Sequence, residues 1–185
     1  MSLNKFDLQP NLKNDFVAVK PLKETDFDIL YSVASDPLIW EQHPNKERYK
    51  KEVFMEFFKG ALESKGAFLV FDSKTNQVIG SSRFYDFNEN DKSIFIGYTF
   101  LAKDHWGSNY NQVLKSLMLN HAFQFVDNVY FHIGANNLRS QKSIERLGAE
   151  KIGQEEISYY GEGKKLNFTY LINREIMFNS IIFRI

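Results

Sequence analysis

One glycine separates a strand-like run from a long amphipathic helix in the stretch Trp106-Gly107-Ser108-Asn109-Tyr110-Asn111. The first turn of a helix leaves backbone N–H groups without intrahelical partners. Those donors, together with the helix dipole, favour an anion such as a phosphate. Gly107 lets the backbone approach a ligand with no Cβ in the way. Asn109 and Asn111 tolerate left-handed backbone better than most side chains, and their amides can donate hydrogen bonds. Ser108 is placed to cap the helix. The same residues also read as an ordinary turn and N-cap, and spacing alone does not separate the two.

A second group with chemistry is Glu41 and His43, in Trp40-Glu41-Gln42-His43-Pro44-Asn45. Both residue types can take a proton in general-base catalysis, His most naturally near neutral pH. The competing reading is a solvated loop with ordinary polar residues. His132 lies on a strand and reads as a satisfied core residue, although it could face a groove. His105 and His121 read as surface residues. The four His have no metal-ligand spacing, so no metal is expected.

Hydrophobic periodicity supplies the elements that must position these groups. Residues 15–22 alternate as a strand. A helix follows over 23–36, with Thr25 as N-cap and Asp36-Pro37 as its stop. A second helix spans 46–66 and ends at Gly66. Residues 67–87 form two strands around a turn at 73–76, and 93–102 form a third strand after a turn at 88–92. A helix over 108–126 carries Tyr110, Leu114, Leu117, Met118, Ala122 and Phe125 on one stripe. A strand over 129–135, a short helix over 139–148 and a hairpin around 161–164 complete the chain. Strand, helix and strand in that order across 93–135 call for a right-handed crossover and parallel pairing.

The 185 residues fit one domain, 1–185, with a core over about 15–175. Lys plus Arg and Asp plus Glu are equal at 23 each, which gives no reason to expect nucleic acid or an anionic membrane as partner. No Cys is present, so disulfides, thiolate catalysis and Cys-type zinc sites are excluded. No apolar run is long enough to span a membrane and no leader-like stretch opens the chain, so a cytoplasmic protein is expected. With 18 Phe, the chain is expected to have a Phe-rich core. The rings of Trp40, the segment 54–58, Phe84, Tyr85 and Phe87 suggest an apolar groove or a homodimer surface.

Three motifs in order carry a family resemblance: Gly97-Tyr98-Thr99-Phe100-Leu101, then Trp106-Gly107-Ser108-Asn109-Tyr110-Asn111, then Asn137-Leu138-Arg139-Ser140 with Arg146-Leu147-Gly148. Together they resemble the Gcn5-related N-acetyltransferase (GNAT) superfamily, and within it the ribosomal-protein N-acetyltransferase-like branch. The resemblance covers roughly residues 15–175. It implies an α/β (α+β) fold with a mixed, mostly antiparallel sheet of about seven strands flanked by four helices. It also implies acetyl-CoA as co-substrate and direct transfer of the acetyl group to a primary amine of a small-molecule or peptide acceptor. By the resemblance, the backbone of Thr99 and Leu101 would pair with the pantetheine amides, and Trp106 belongs to the loop motif. The pyrophosphate would rest on Gly107, Ser108, Asn109, Tyr110 and Asn111, and Asn137 would approach the cofactor. Ser140 would stabilise the leaving thiolate or act as a helix N-cap, with Tyr98 and Tyr159 as lesser candidates for that role. Glu41 and His43 would lie over the acceptor groove. Asn109 and Asn111 replace a Gly and a small residue of the family pattern. The alternative is therefore a non-catalytic acyl-CoA or ligand-binding module with a degenerate phosphate loop.

Overall fold

A computed structural model describes residues 6–175. Eight strands form one sheet in the order β1-β2-β3-β4-β5-β6-β8-β7. The strands are β1 (Leu12–Lys13), β2 (Val17–Pro21), β3 (Ala67–Asp72), β4 (Val78–Asn88), β5 (Ser93–Leu101), β6 (Asn128–Gly134), β7 (Glu150–Ser158) and β8 (Lys164–Asn173). The helices are α1 (Phe27–Ala34), α2 (Pro37–Trp40), α3 (Lys51–Glu63), α4 (Tyr110–Ala122) and α5 (Leu138–Glu145). All neighbouring strands pair antiparallel except β5 and β6, which are parallel across the α4 crossover.

Several local expectations are corrected. Thr25 does not cap α1: it lies in a short 3-10 turn, and Asp26 takes the N-cap position. Asp36-Pro37 ends one helix and also starts another. The Asp36 carboxylate accepts the Leu38 N–H, and Pro37, with no N–H to lose, opens α2. Helix α3 begins at Lys51 rather than 46, and the left-handed residue at its end is Lys65 (φ 50°), not Gly66. The two-residue β1 has no sequence signature of its own.

Apolar side chains cover both faces of the sheet. On one face Phe68, Phe84, Ile94 and Ile96 pack against Leu114, Met118 and Leu119 of α4 and Ile144 of α5. On the other, Leu69 and Phe100 pack against Trp40 of α2 and Phe54, Phe57 and Phe58 of α3. The core is Phe-rich as expected. Trp40, Phe54 and Phe84 are fully buried in it and do not line a groove. Among the described residues no helix is long and apolar enough to cross a membrane.

The feature that builds the site is a break in the middle of the sheet. β5 and β6 pair only through Ser93–Phe95 with Asn128–Tyr130. Past that point β5 stays with β4 and β6 stays with β8, so the two strands diverge. A bulge in β5 accompanies the divergence. Register to β4 shifts between Ser81↔Phe100 and Arg83↔Gly97, which leaves Tyr98 and Thr99 opposite Ser82. Tyr98 takes φ 53°, a strained value for an aromatic residue.

Candidate active site

The diverging strands open on a cavity of about 470 Å³. Its walls come from β5 and β6, the loop 105–109, the inner face of α4, the start of α5 and the segment around His43. Gly97 has a steric reason: a Cβ there would lie 2.9 Å from the Tyr85 ring.

At one end stands the start of α4. Gly107 is left-handed (φ 69°) and has open space around it. Among the described residues, no backbone hydrogen bond leaves the N–H groups of 108 to 112; the first is Val113 N–H to Asn109 O, at 2.8 Å. Free donors of this kind at a helix N-terminus suit an anion. The loop is simpler than its sequence suggests. Asn109 is right-handed (φ −77°, ψ 0°), so only Gly107 carries an unusual conformation, and the Asn109 side chain makes no cap bond. Ser108 does not cap the helix; its hydroxyl donates to His105 O at 2.7 Å. Asn111 turns aside: its Nδ2 donates to Ser143 Oγ at 2.9 Å, and its Oδ1 is buried with no partner. The Tyr110 hydroxyl points away from the cavity and donates to Asp72 Oδ2 at 2.6 Å. That bond, then the Thr75 and Lys74 N–H groups and His105, holds the Asp72 carboxyl down to about 2. Asp72 thus ties the root of α4 to the β3–β4 turn.

In the middle lies a group that the sequence reading missed. Lys115 is 5% exposed, lines the cavity from α4 and donates from Nζ to Thr99 Oγ1 at the bulge. Thr99 in turn shares a 2.8 Å hydrogen bond with Ser82 Oγ. No carboxylate is bonded to the amine among the described residues, and burial lowers its pKa from 10.5 to about 7. Of the other residues placed here, Leu101 has its carbonyl occupied by Trp106 Nε1 at 2.9 Å. The Trp106 ring carries the Arg139 guanidinium 3.8 Å above its centre. Asn137, not Ser140, is the N-cap of α5: its Oδ1 accepts the Ser140 N–H at 3.1 Å. Ser140 lines the cavity, and its hydroxyl has no hydrogen bond among the described residues.

The far end is aromatic and basic. Tyr85, Tyr98 and Tyr159 form edge-to-face contacts, Tyr98 lying 5.1 Å from Tyr85 and 5.6 Å from Tyr159. Here the two expected acceptor-side residues part company. His43 reaches the cavity, but burial first, then the charges of Arg48 and Arg139, press its imidazole from 6.5 down to about 3. It is neutral and a weak base. Glu41 is exposed and does not line the cavity. His132 faces the cavity instead of being a closed core residue. Its Nδ1 is 3.4 Å from the Tyr85 hydroxyl and its Nε2 3.2 Å from Glu155 Oε1. Burial lowers its pKa, while the Glu155 charge pulls it back up. The Glu155 side chain is 56% exposed, so the pair connects the cavity to bulk water. His105, expected at the surface, also lines the cavity. Among the described residues no group of His, Asp and Glu is gathered as a metal site.

A sheet split between a parallel pair, with a helix N-terminus facing the split, defines the class of fold. The acetyltransferase (GNAT) domain family matches residues 17–150, and the chain belongs to it. This family uses acetyl-CoA as acyl donor. Solved structures agree in fold. A GCN5-related N-acetyltransferase from Brucella melitensis superimposes with a TM-score of 0.80 at 14% identity, over 95% of this chain and 83% of that one. RimJ of Mycobacterium smegmatis, in complex with CoA-disulfide, gives 0.71 at 14% identity, over 91% and 87%. Spermidine N-acetyltransferase of Vibrio cholerae, with CoA and spermine, gives 0.68 at 16% identity, over 90% and 100%. No curated protein sequence matches the chain.

Proposed function

We propose that the chain is a single acyl-CoA N-acyltransferase domain, core about 15–175, that moves an acetyl group from acetyl-CoA to a primary amine by direct transfer in a ternary complex. One observation carries this reading. The split between β5 and β6 and the free N–H groups at the start of α4 open on the same cavity.

The residues present fit the donor. The N–H groups of 108 to 112 suit its pyrophosphate, with Lys142 of α5 and Arg146 just past its end lining the same cavity. The β5 edge around Thr99 and Leu101 suits the amides of the pantetheine arm. Lys115, to which no carboxylate is bonded among the described residues, donates to an oxygen of the arm. Acetyl-CoA supplies the activated acyl group as a thioester. Backbone N–H groups on the open β5 edge polarise the reacting carbonyl, and Ser140 Oγ donates to the departing sulfur. His132, backed by Glu155, takes the amine proton and passes it toward solvent. It fits this role better than Glu41, which stands outside the cavity, or His43, which is too weak a base. The non-catalytic alternative draws on one feature, the Trp106 indole on Leu101 O, which occupies an acceptor meant for the arm.

Calorimetry with acetyl-CoA, followed by thiol release on a panel of amines, tests the reading. Binding with turnover supports the transferase. Binding with no turnover on any amine favours the module, and absence of binding removes both.

A further inference from the structure

Arg48 stands just before α3, and its side chain is 4% exposed. Its Nε donates to Glu162 Oε1 at 2.7 Å. Neither terminal nitrogen has a hydrogen-bond partner among the described residues, and neither is sealed off from the cavity that Arg48 lines. Aromatic rings fix the guanidinium in place, with Phe57 at 4.9 Å and Tyr159 at 5.7 Å. A second buried guanidinium, Arg83, lies 3.9 Å from the Tyr98 ring centre, bonds only to Gly60 O and has an unpartnered Nε. Glu162 is thus bonded to Arg48, while Arg83 has no carboxylate bonded to it among the described residues. The cavity lining holds Arg48, Lys115, Arg139, Lys142 and Arg146 and no Asp or Glu at all.

A buried guanidinium whose terminal nitrogens are open toward a cavity with no carboxylate in its lining is suited to receive an oxyanion. Lys142 and Arg146 belong to the donor end, and Arg139 is stacked on Trp106. Arg48 is the cation left to the acceptor. Resting on the transferase reading above, we infer that the acceptor is a primary amine that also carries an anionic group, a carboxylate or a phosphate, seated on the open face of Arg48. A polyamine is the wrong substrate for this cavity. Its second ammonium would meet Arg48 with no carboxylate lining the wall to hold it.

Paired acceptors test this. Amino acids are each compared with their own amides, O-phosphoethanolamine is compared with ethanolamine, and spermidine is run alongside. Thiol release gives kcat/KM, and the melting shift of the CoA-saturated protein gives binding without turnover. The expected result is a preference of about tenfold or more for the anionic member of a pair. The carboxylate and phosphate arms then say which oxyanion is meant. Arg48→Gln should erase the preference, and Arg48→Lys should restore part of it. Because Arg48→Gln alone would strand Glu162, an Arg48→Gln, Glu162→Gln double variant serves as the check that the fold and acetyl-CoA binding survive. Equal or better use of the amides or of spermidine overturns the inference. So does a preference that persists without Arg48, or the failure of every anionic amine to be turned over or to shift melting of the CoA complex. If the parent fails to bind acetyl-CoA, the transferase reading falls first and takes the inference with it.

Discussion

Replacing Lys115 by Met should make the protein more stable and a worse binder of CoA. The amine is 5% exposed, has no carboxylate partner, and is lowered from 10.5 to about 7 by burial. At about 1.36 kcal/mol per unit, that difference sets a ceiling of about 5 kcal/mol on the cost of holding the charged amine in the fold. Water in the cavity relieves part of it, so a gain of about 2–3 kcal/mol is expected from Met, which fills similar volume without charge. For a chain of this size that corresponds to a rise of about 4–12 °C in melting temperature. The pH dependence fixes the cause. Below pH 7 the amine is protonated in folded and unfolded chains alike, and the folded state bears the full cost. Between 7 and 10.5 the unfolded chain binds more protons than the folded one, so the parent gains stability as pH rises. The advantage of Met should therefore be greatest at pH 6 to 7 and fade toward pH 10. On the binding side, a lost hydrogen bond from a charged donor is worth about 1.5–3 kcal/mol, or roughly 10- to 150-fold. Calorimetry should show that loss for CoA and none for adenosine 3′,5′-bisphosphate, which lacks the pantetheine arm. A variant that melts lower than the parent across this pH range would refute the burial argument. An equal loss on both ligands would move Lys115 from the arm to the phosphates.

Gly107→Asp should cost at least about tenfold in acetyl-CoA affinity by calorimetry. The space around Gly107 is open, so the penalty comes from its left-handed backbone and the added charge rather than from a clash. His132→Gln should slow turnover by about 10²–10⁴ and leave donor affinity alone. In the parent, rate should climb with pH as His132 loses its proton, at a pH below its ordinary 6.5. Glu155→Gln removes the charge that pulls this value up, so the same limb should move further to acid in a pH–rate profile. Glu41→Gln, by contrast, should change turnover by less than about threefold, because the residue lies outside the cavity; a larger loss would return it to the acceptor site.

Period and punctuation made most of the frame legible. The alternation of 93–102, the stripe of α4 and the run 129–135 were enough to call for a parallel crossover, which the β5–β6 pairing bears out. What stayed hidden depends on partners far apart in the chain. Arg48 gains its meaning from Glu162, 114 residues away, and Asn111 from Ser143, 32 residues away. Lys115 was in principle visible, since it follows Leu114 and lies three residues before Met118 on the inward side of α4. A lysine there reads as a flaw in the stripe unless the helix is known to face an open seam. The asparagines of the loop misled in the opposite direction. They suggested strained backbone, yet Asn109 is helical, because Gly107 absorbs the whole turn.

The short β5–β6 contact also divides the sheet into two leaves. One runs from β1 to β5 and comes from residues 12–101; the other is β6, β8 and β7, from residues 128–173. Each leaf is continuous in sequence, and only the pairs Ser93–Asn128, Ile94–Val129 and Phe95–Tyr130 stitch them together by strand pairing. β6 is flanked over its full length by β8, the last strand of the sheet to be synthesised. The second leaf therefore closes only when residues near 173 have emerged, while the first can assemble long before. The two leaves are natural units for separate opening. Amide exchange should find a seam at residues 93–95 and 128–130 that yields well before the strand centres on either side, like a book whose spine is three stitches long.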